Sequence, residues 1–143
     1  MKMTSELKSK VVTLANRLAP RMGGDKSAAF AEAWRIVKSG QVTFPVRGVT
    51  VGSRQEALRR LAGYEPAQVR AFIMSEPENP VDRNAMAVMV MINGDRGVYK
   101  LGYIPAKETA KAAAVRGKAS IRIVSGEWGF NQRTFGARLT LAV

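Results

Sequence analysis

Residues 85–92 read Ala-Met-Ala-Val-Met-Val-Met-Ile, eight apolar side chains without interruption, and Asn93-Gly94 follows them directly. A run this short, stopped by a turn signal, reads as a strand buried on both faces. Asn-Gly supplies the two positive-φ positions of a type I′ hairpin turn, so residues 98–104 are expected to return as the next strand. Upstream, residues 41–51 are rich in β-branched side chains and 69–74 alternate loosely; downstream, 119–124 and 133–143 alternate, joined by a turn containing Gly126-Glu-Trp-Gly-Phe-Asn-Gln132. Ser53-Arg-Gln-Glu56 has the form of a capping box opening a short helix that Gly63 closes, and Pro105 starts an alanine-rich helix reaching Arg116. Five to six short strands with two interposed helices imply a mainly β fold with helices, built as a small, partly open, OB-like β-barrel.

Residues 1–40 follow a different period. Leu7, Val11, Leu14 and Leu18 recur at helical spacing, and Pro20 with Gly23-Gly24 ends that segment. Asp25 then offers an N-cap to a second helix, which carries Phe30, Ala33, Trp34 and Val37 on one face and stops at Ser39-Gly40. The expected organisation is a basic N-terminal helical hairpin, 1–40, preceding an OB-type barrel, 41–143.

Composition narrows the chemistry. The 143 residues include no His and no Cys, which removes thiol nucleophiles, imidazole bases, the Ser-His-Asp triad and the usual zinc ligands. Carboxylate-bound magnesium or a Ser-Lys pair would remain. Glu76, Glu78 and Asp82 form the acidic group for the former, but Pro77 and Pro80 splay them. The expectation is a protein that is not an enzyme and uses no cofactor or metal. Without cysteine nothing marks an oxidising compartment, and eight residues fall far short of the ~20 that span a bilayer, so no membrane association and a cytoplasmic location are expected. Against 11 acidic residues stand 23 basic ones, a formal net charge of +12, which attracts polyanions by counterion release. The excess is spread along the chain, with eight basic against three acidic residues in 1–40 and fifteen against eight in 41–143.

Three stretches together resemble the HIRAN domain: Phe-Pro-Val-Arg-Gly-Val-Thr-Val-Gly-Ser-Arg-Gln-Glu-Ala-Leu-Arg-Arg-Leu at 44–61, Ser-Glu-Pro-Glu-Asn-Pro-Val-Asp-Arg-Asn-Ala-Met-Ala-Val-Met-Val at 75–90, and Leu-Gly-Tyr-Ile-Pro-Ala-Lys-Glu-Thr-Ala at 101–110. The likeness extends over 44–143. It implies a modified OB barrel of the kind found as an accessory module on Swi/Snf-type ATPases and fork-remodelling proteins, or alone in bacterial and phage proteins. Such modules grip the 3′ end of single-stranded DNA, so DNA with single-stranded character or free 3′ ends is the implied partner.

Carried onto this chain, the resemblance implies a DNA-binding set of Thr50, Val51, Arg54, Val81, Asp82, Tyr103, Lys107 and Phe135. Several of these residues have a second, purely structural reading. Asp82 lies in a turn-forming loop, where its carboxylate can cap backbone amides or accept a hydrogen bond from a terminal sugar hydroxyl. Tyr103 and Phe135 can stack on bases or fill core space, as can Trp128 and Phe130 in the turn before the last strand. Lys107 stands near the position of a basic family residue that meets phosphate. Val81, and Thr50 or Val51, replace aromatic residues of the family, each at a cost of about 1–3 kcal/mol of base stacking. A protein partner docking on the Phe30/Trp34 face of the hairpin is the alternative to DNA.

Overall fold

A computed structural model describes residues 4–93, 97–128 and 132–143; the side chains of 125–134 lie outside that description. In chain order the elements are α1 (Ser5–Leu18), α2 (Lys26–Ser39), β1 (Gln41–Pro45), α3 (Arg54–Leu61), β2 (Val69–Ser75), β3 (Met86–Ile92), β4 (Val98–Tyr103), α4 (Thr109–Val115), β5 (Ala119–Trp128) and β6 (Gln132–Ala142). They fall into two compact units, one made of 1–42, 110–118 and 141–143 and the other of 43–109 and 119–140.

In the first unit both long helices begin on side-chain caps. Thr4 Oγ1 accepts from the Leu7 N–H at 3.2 Å, and the Asp25 carboxylate accepts from the Ala28 N–H at 3.0 Å. Val11, Leu14 and Leu18 are buried as their spacing predicts. On α2 the buried face is Ala29, Ala33, Ile36 and Val37, whereas Phe30 is 49% exposed. The apolar face is thus turned away from the Phe30/Trp34 pair. Alanines at the contact let α1 and α2 approach closely, and a phenylalanine there would hold them apart. The hairpin's unit also takes in most of α4: Lys111 pairs with Glu32 at 2.9 Å, and the Arg17 guanidinium donates to the Ala114 carbonyl. Val143 N–H donates to Gly40 O at 3.0 Å. A cut at residue 40 follows chain order, while the compact unit interleaves three segments.

The second unit holds two three-stranded sheets, ordered β1-β6-β5 and β2-β3-β4. All six expected strands are present, in a mixed helix and strand fold. The first is shorter than its β-branched run: β1 ends at Pro45, and residues 49–52 form turns. The expected capping box does not form, because Ser53 has φ −89° and ψ 12° instead of an extended backbone and makes no side-chain cap; Glu56 pairs with Arg59 instead. Phe44, Leu58, Val88, Val90, Leu101 and Leu139 are fully buried and form the core.

The described residues form no closed barrel. One seam does join the sheets. Val46 N–H donates to Ala137 O of β6 at 2.9 Å, and the next residue, Arg47, exchanges both backbone hydrogen bonds with Tyr103 of β4, at 2.7 and 2.8 Å. Away from this seam, β2 lies beside β5. The seam needs a residue without a side chain. A Cβ on Gly102 would collide with the Arg47 carbonyl oxygen and stand 2.8 Å from Val46 Cγ1.

Gly102→Ala is accordingly expected to lower unfolding stability by about 1–3 kcal/mol, since the obstacle is backbone that cannot rotate away. Gly63→Ala, whose Cβ would meet only Arg60 O at 3.5 Å, is expected to be tolerated. Denaturant unfolding of both variants checks this; equal stability of the two would refute the tight seam.

Candidate nucleic-acid interface

The loop between β2 and β3, Glu76-Pro-Glu-Asn-Pro-Val-Asp-Arg-Asn84, is held by its own side chains. Asn79 Oδ1 accepts from the N–H groups of Val81, at 2.9 Å, and Asp82, at 3.1 Å. Asp82 Oδ1 in turn accepts from the Asn84 N–H at 2.8 Å. These are the local bonds that Asn and Asp offer a turn, and the capping role of Asp82 is therefore realised. Its second oxygen, Oδ2, has no hydrogen-bond partner among the described residues.

Glu76 fastens this loop to β4. Its carboxylate accepts from Lys100 Nζ at 2.6 Å, Tyr103 Oη at 2.9 Å and Asn79 Nδ2 at 3.0 Å. Lys100 and Tyr103 are three residues apart, and in a regular strand they would point to opposite faces. A bulge corrects this: Met89 pairs with Lys100 and Val88 with Gly102, leaving Leu101 as the extra residue. Leu101 turns inward, fully buried, while Lys100 and Tyr103 share the outer face, with Lys100 Nζ 3.1 Å from Tyr103 Oη. The Tyr103 ring also carries the Arg54 guanidinium, 5.6 Å from its centroid, and Arg54 donates to Gly48 O at 2.7 Å. Gly48 has φ 75°, a conformation that favours glycine.

Around this network opens a cleft of about 470 Å³ lined by Arg47, Asn79, Val81, Asp82, Tyr103 and the segment 104–106. Val81 is 94% exposed at its rim. Of the residues implied by resemblance, Val81, Asp82 and Tyr103 line the cleft, Arg54 packs on Tyr103, and Lys107 is exposed immediately after the lining residue Ala106. Thr50 and Val51 are exposed on the turn after Gly48. Phe135 is not among the residues lining the cleft; it is half-buried on β6, where Gln55 clamps its backbone by donating to Phe135 O at 2.7 Å and accepting from Phe135 N–H at 2.8 Å. The side chain of Trp128, and Phe130 altogether, lie outside the described residues. Arg47, Lys100 and Gln55 escape a reading by motif, and Glu76 was read only as a member of the acidic group; Arg47 stands in Phe-Pro-Val-Arg-Gly, where a cation before a glycine just after β1 is its signal.

The acidic trio does not gather. Glu76 is engaged by Lys100, and no cluster of three metal-ligating side chains occurs among the described residues. No helix among them is long and apolar enough to cross a membrane. Compared with protein-family models, with curated proteins and with solved structures, the chain matches none.

The Lys100 ammonium, helped by Asn79 and Tyr103, holds the Glu76 carboxyl down at about 2, against an ordinary 4.5, and Glu76 in return raises Lys100. A carboxyl whose value is depressed on folding stabilises the native state above its unfolded value and loses that contribution as the pH falls through the folded one. Between pH 4.5 and 2 the wild type is expected to lose stability faster than Glu76→Gln, which has no such proton to bind. Chemical unfolding midpoints across this window check the point; parallel curves would refute it.

Proposed function

We propose that the second unit is a non-catalytic nucleic-acid-binding module that receives the end of a DNA strand in the cleft between the 76–84 loop and β4. The observation that carries this reading is the convergence of a carboxylate, an aromatic ring and one exposed cation, Arg47, on one concavity of about 470 Å³, with the exposed Lys107 next in sequence to its lining residue Ala106. In this reading Asp82 Oδ2 accepts from a terminal 3′-hydroxyl while Oδ1 keeps its turn bond. Arg47, which makes no ion pair among the described residues, and Lys107 supply phosphate contacts. The Arg47–Tyr103 bridge and the adjacency of β2 and β5 support a partly open barrel related to the OB and HIRAN architectures. With Val81 in place of an aromatic residue, end binding is weaker than in a module with a full stacking set.

A second reading rests on Phe30. Half-exposed on α2, it gives the first unit an apolar foothold for a protein partner, as in an adaptor that has no use for DNA ends.

Fluorescence anisotropy with single-stranded oligonucleotides carrying a 3′-hydroxyl or a 3′-phosphate tests the first reading. Wild type is expected to bind at about 50 mM salt and to prefer the hydroxyl end, and Arg47→Ala to reduce the salt slope by about 0.7. Asp82→Asn keeps an oxygen for the Asn84 N–H but exchanges the free acceptor for a donor, so the hydroxyl preference is expected to fall by about 1.5–3 kcal/mol with the fold intact. Absence of binding at low salt would overturn the reading in favour of the adaptor.

A further inference from the structure

The register of the β2-β3-β4 sheet sorts its residues between two faces. Val88 and Val90 face the core with the side chains opposite them. The other face carries three cross-strand rows: Met74 and Tyr103 flank Ala87, Phe72 and Lys100 flank Met89, and Arg70 and Val98 flank Met91. Phe72 is 37%, Met74 43% and Val98 47% exposed, and Arg70 is exposed as well. Rows two residues apart along a strand are separated by ~6.6 Å, so the exposed flanks of these rows, over the buried Ala87 and Met89, run for ~13 Å from the cleft residue Tyr103. No acidic residue belongs to the three rows, and the one carboxylate among the described residues that reaches them, Glu76, is engaged by Lys100 and Tyr103.

We infer that this sheet face continues the cleft as a track for single-stranded nucleic acid, with Phe72 as a base-stacking platform and Arg70 as a phosphate contact beyond it. The inference rests on the proposed function and assigns what lies beyond the strand end. An exposed aromatic ring among apolar side chains, with a cation at the far row and a chain of net charge +12 behind it, fits an oligonucleotide, whose bases offer flat apolar faces and whose backbone is anionic. Continuity argues the same way. Tyr103 belongs at once to the cleft lining and to the first row, and the bulge sets it beside Lys100, with the Glu76 carboxylate neutralised between them where the two surfaces meet. A strand seated by its end in the cleft would thus meet Met74 and Phe72 next, then Arg70.

The test compares a 3′-hydroxyl trinucleotide, followed by nuclear magnetic resonance titration, with an oligonucleotide of about eight nucleotides, followed by anisotropy. Wild type is expected to bind the longer strand more tightly. Phe72→Ala is expected to lose on the order of tenfold for the longer strand and nothing for the trinucleotide, Phe72→Trp to restore the affinity, and Arg70→Ala to lower the salt slope for the longer strand alone by about 0.7. Wild-type affinity of both Phe72→Ala and Arg70→Ala for the longer strand would overturn the track while leaving the cleft reading in place. Conversion of a wild-type dimer to monomer by Phe72→Ala, with oligonucleotide binding unchanged, would assign the face to self-association and overturn it too. Failure of wild type to bind either ligand would overturn the cleft reading and the track together.

Discussion

The close backbone approach of Arg47 to Tyr103 is the constraint on which the second unit depends. Two sheets of three strands leave four edges, each with unpaired amides, and this bridge covers one edge of each sheet at a single point. It is possible because Gly102 has no side chain to set against the Arg47 carbonyl. The same exchange of hydrogen bonds sets Arg47 beside Tyr103, so the pair that ties the sheets also contributes two walls of the cleft. The joint and the candidate site are one piece of structure.

The bulge at Leu101 does the complementary work. An extra residue there sends a leucine into the core and brings Lys100 and Tyr103 to one face, where a single carboxylate can engage both. Glu76 is the hub of that arrangement. Its bonds to Lys100, Tyr103 and Asn79 fix one end of the 76–84 loop, and Asn79 and Asp82 fix the rest from within. A loop so tied presents Val81 and Asp82 in a settled conformation, which reduces the ordering cost that a flexible loop would add to any binding event. Of the acidic side chains near the cleft, Glu76 is engaged by Lys100, while Asp82 lines the cleft with one oxygen in a turn bond, opposite the exposed Arg47.

The hairpin is built on other terms. Its helices are capped and amphipathic, yet α4 residues share its unit, through Glu32 with Lys111 and Arg17 with Ala114. Arg35 also pairs with Glu32, so this one acidic side chain serves both the helix and the joining of a distant segment. Glu32 and Lys111 are half-buried, and the buried Val11, Leu18, Ala29 and Ala33 carry most of the packing.

What was legible in the sequence was local. Helical spacing in 1–40, the Asp25 cap, the buried run before Asn93 and the six strands follow from short-range periodicity and turn chemistry, which act over a few residues wherever the segment ends up. The turn-capping capacity of Asp82 was legible for the same reason. The face that α2 buries, the Gln55 clamp on Phe135 and the gathering of 110–118 with the hairpin were decided by tertiary structure, because each depends on a partner many residues away, whereas the cap at Ser53 fails locally, on its own backbone angles. The bulge at Leu101 belongs with them: alternation alone places Lys100 and Tyr103 on opposite faces, and only the pairing of β4 with β3, made together with the Gly102 seam, puts them on the same side.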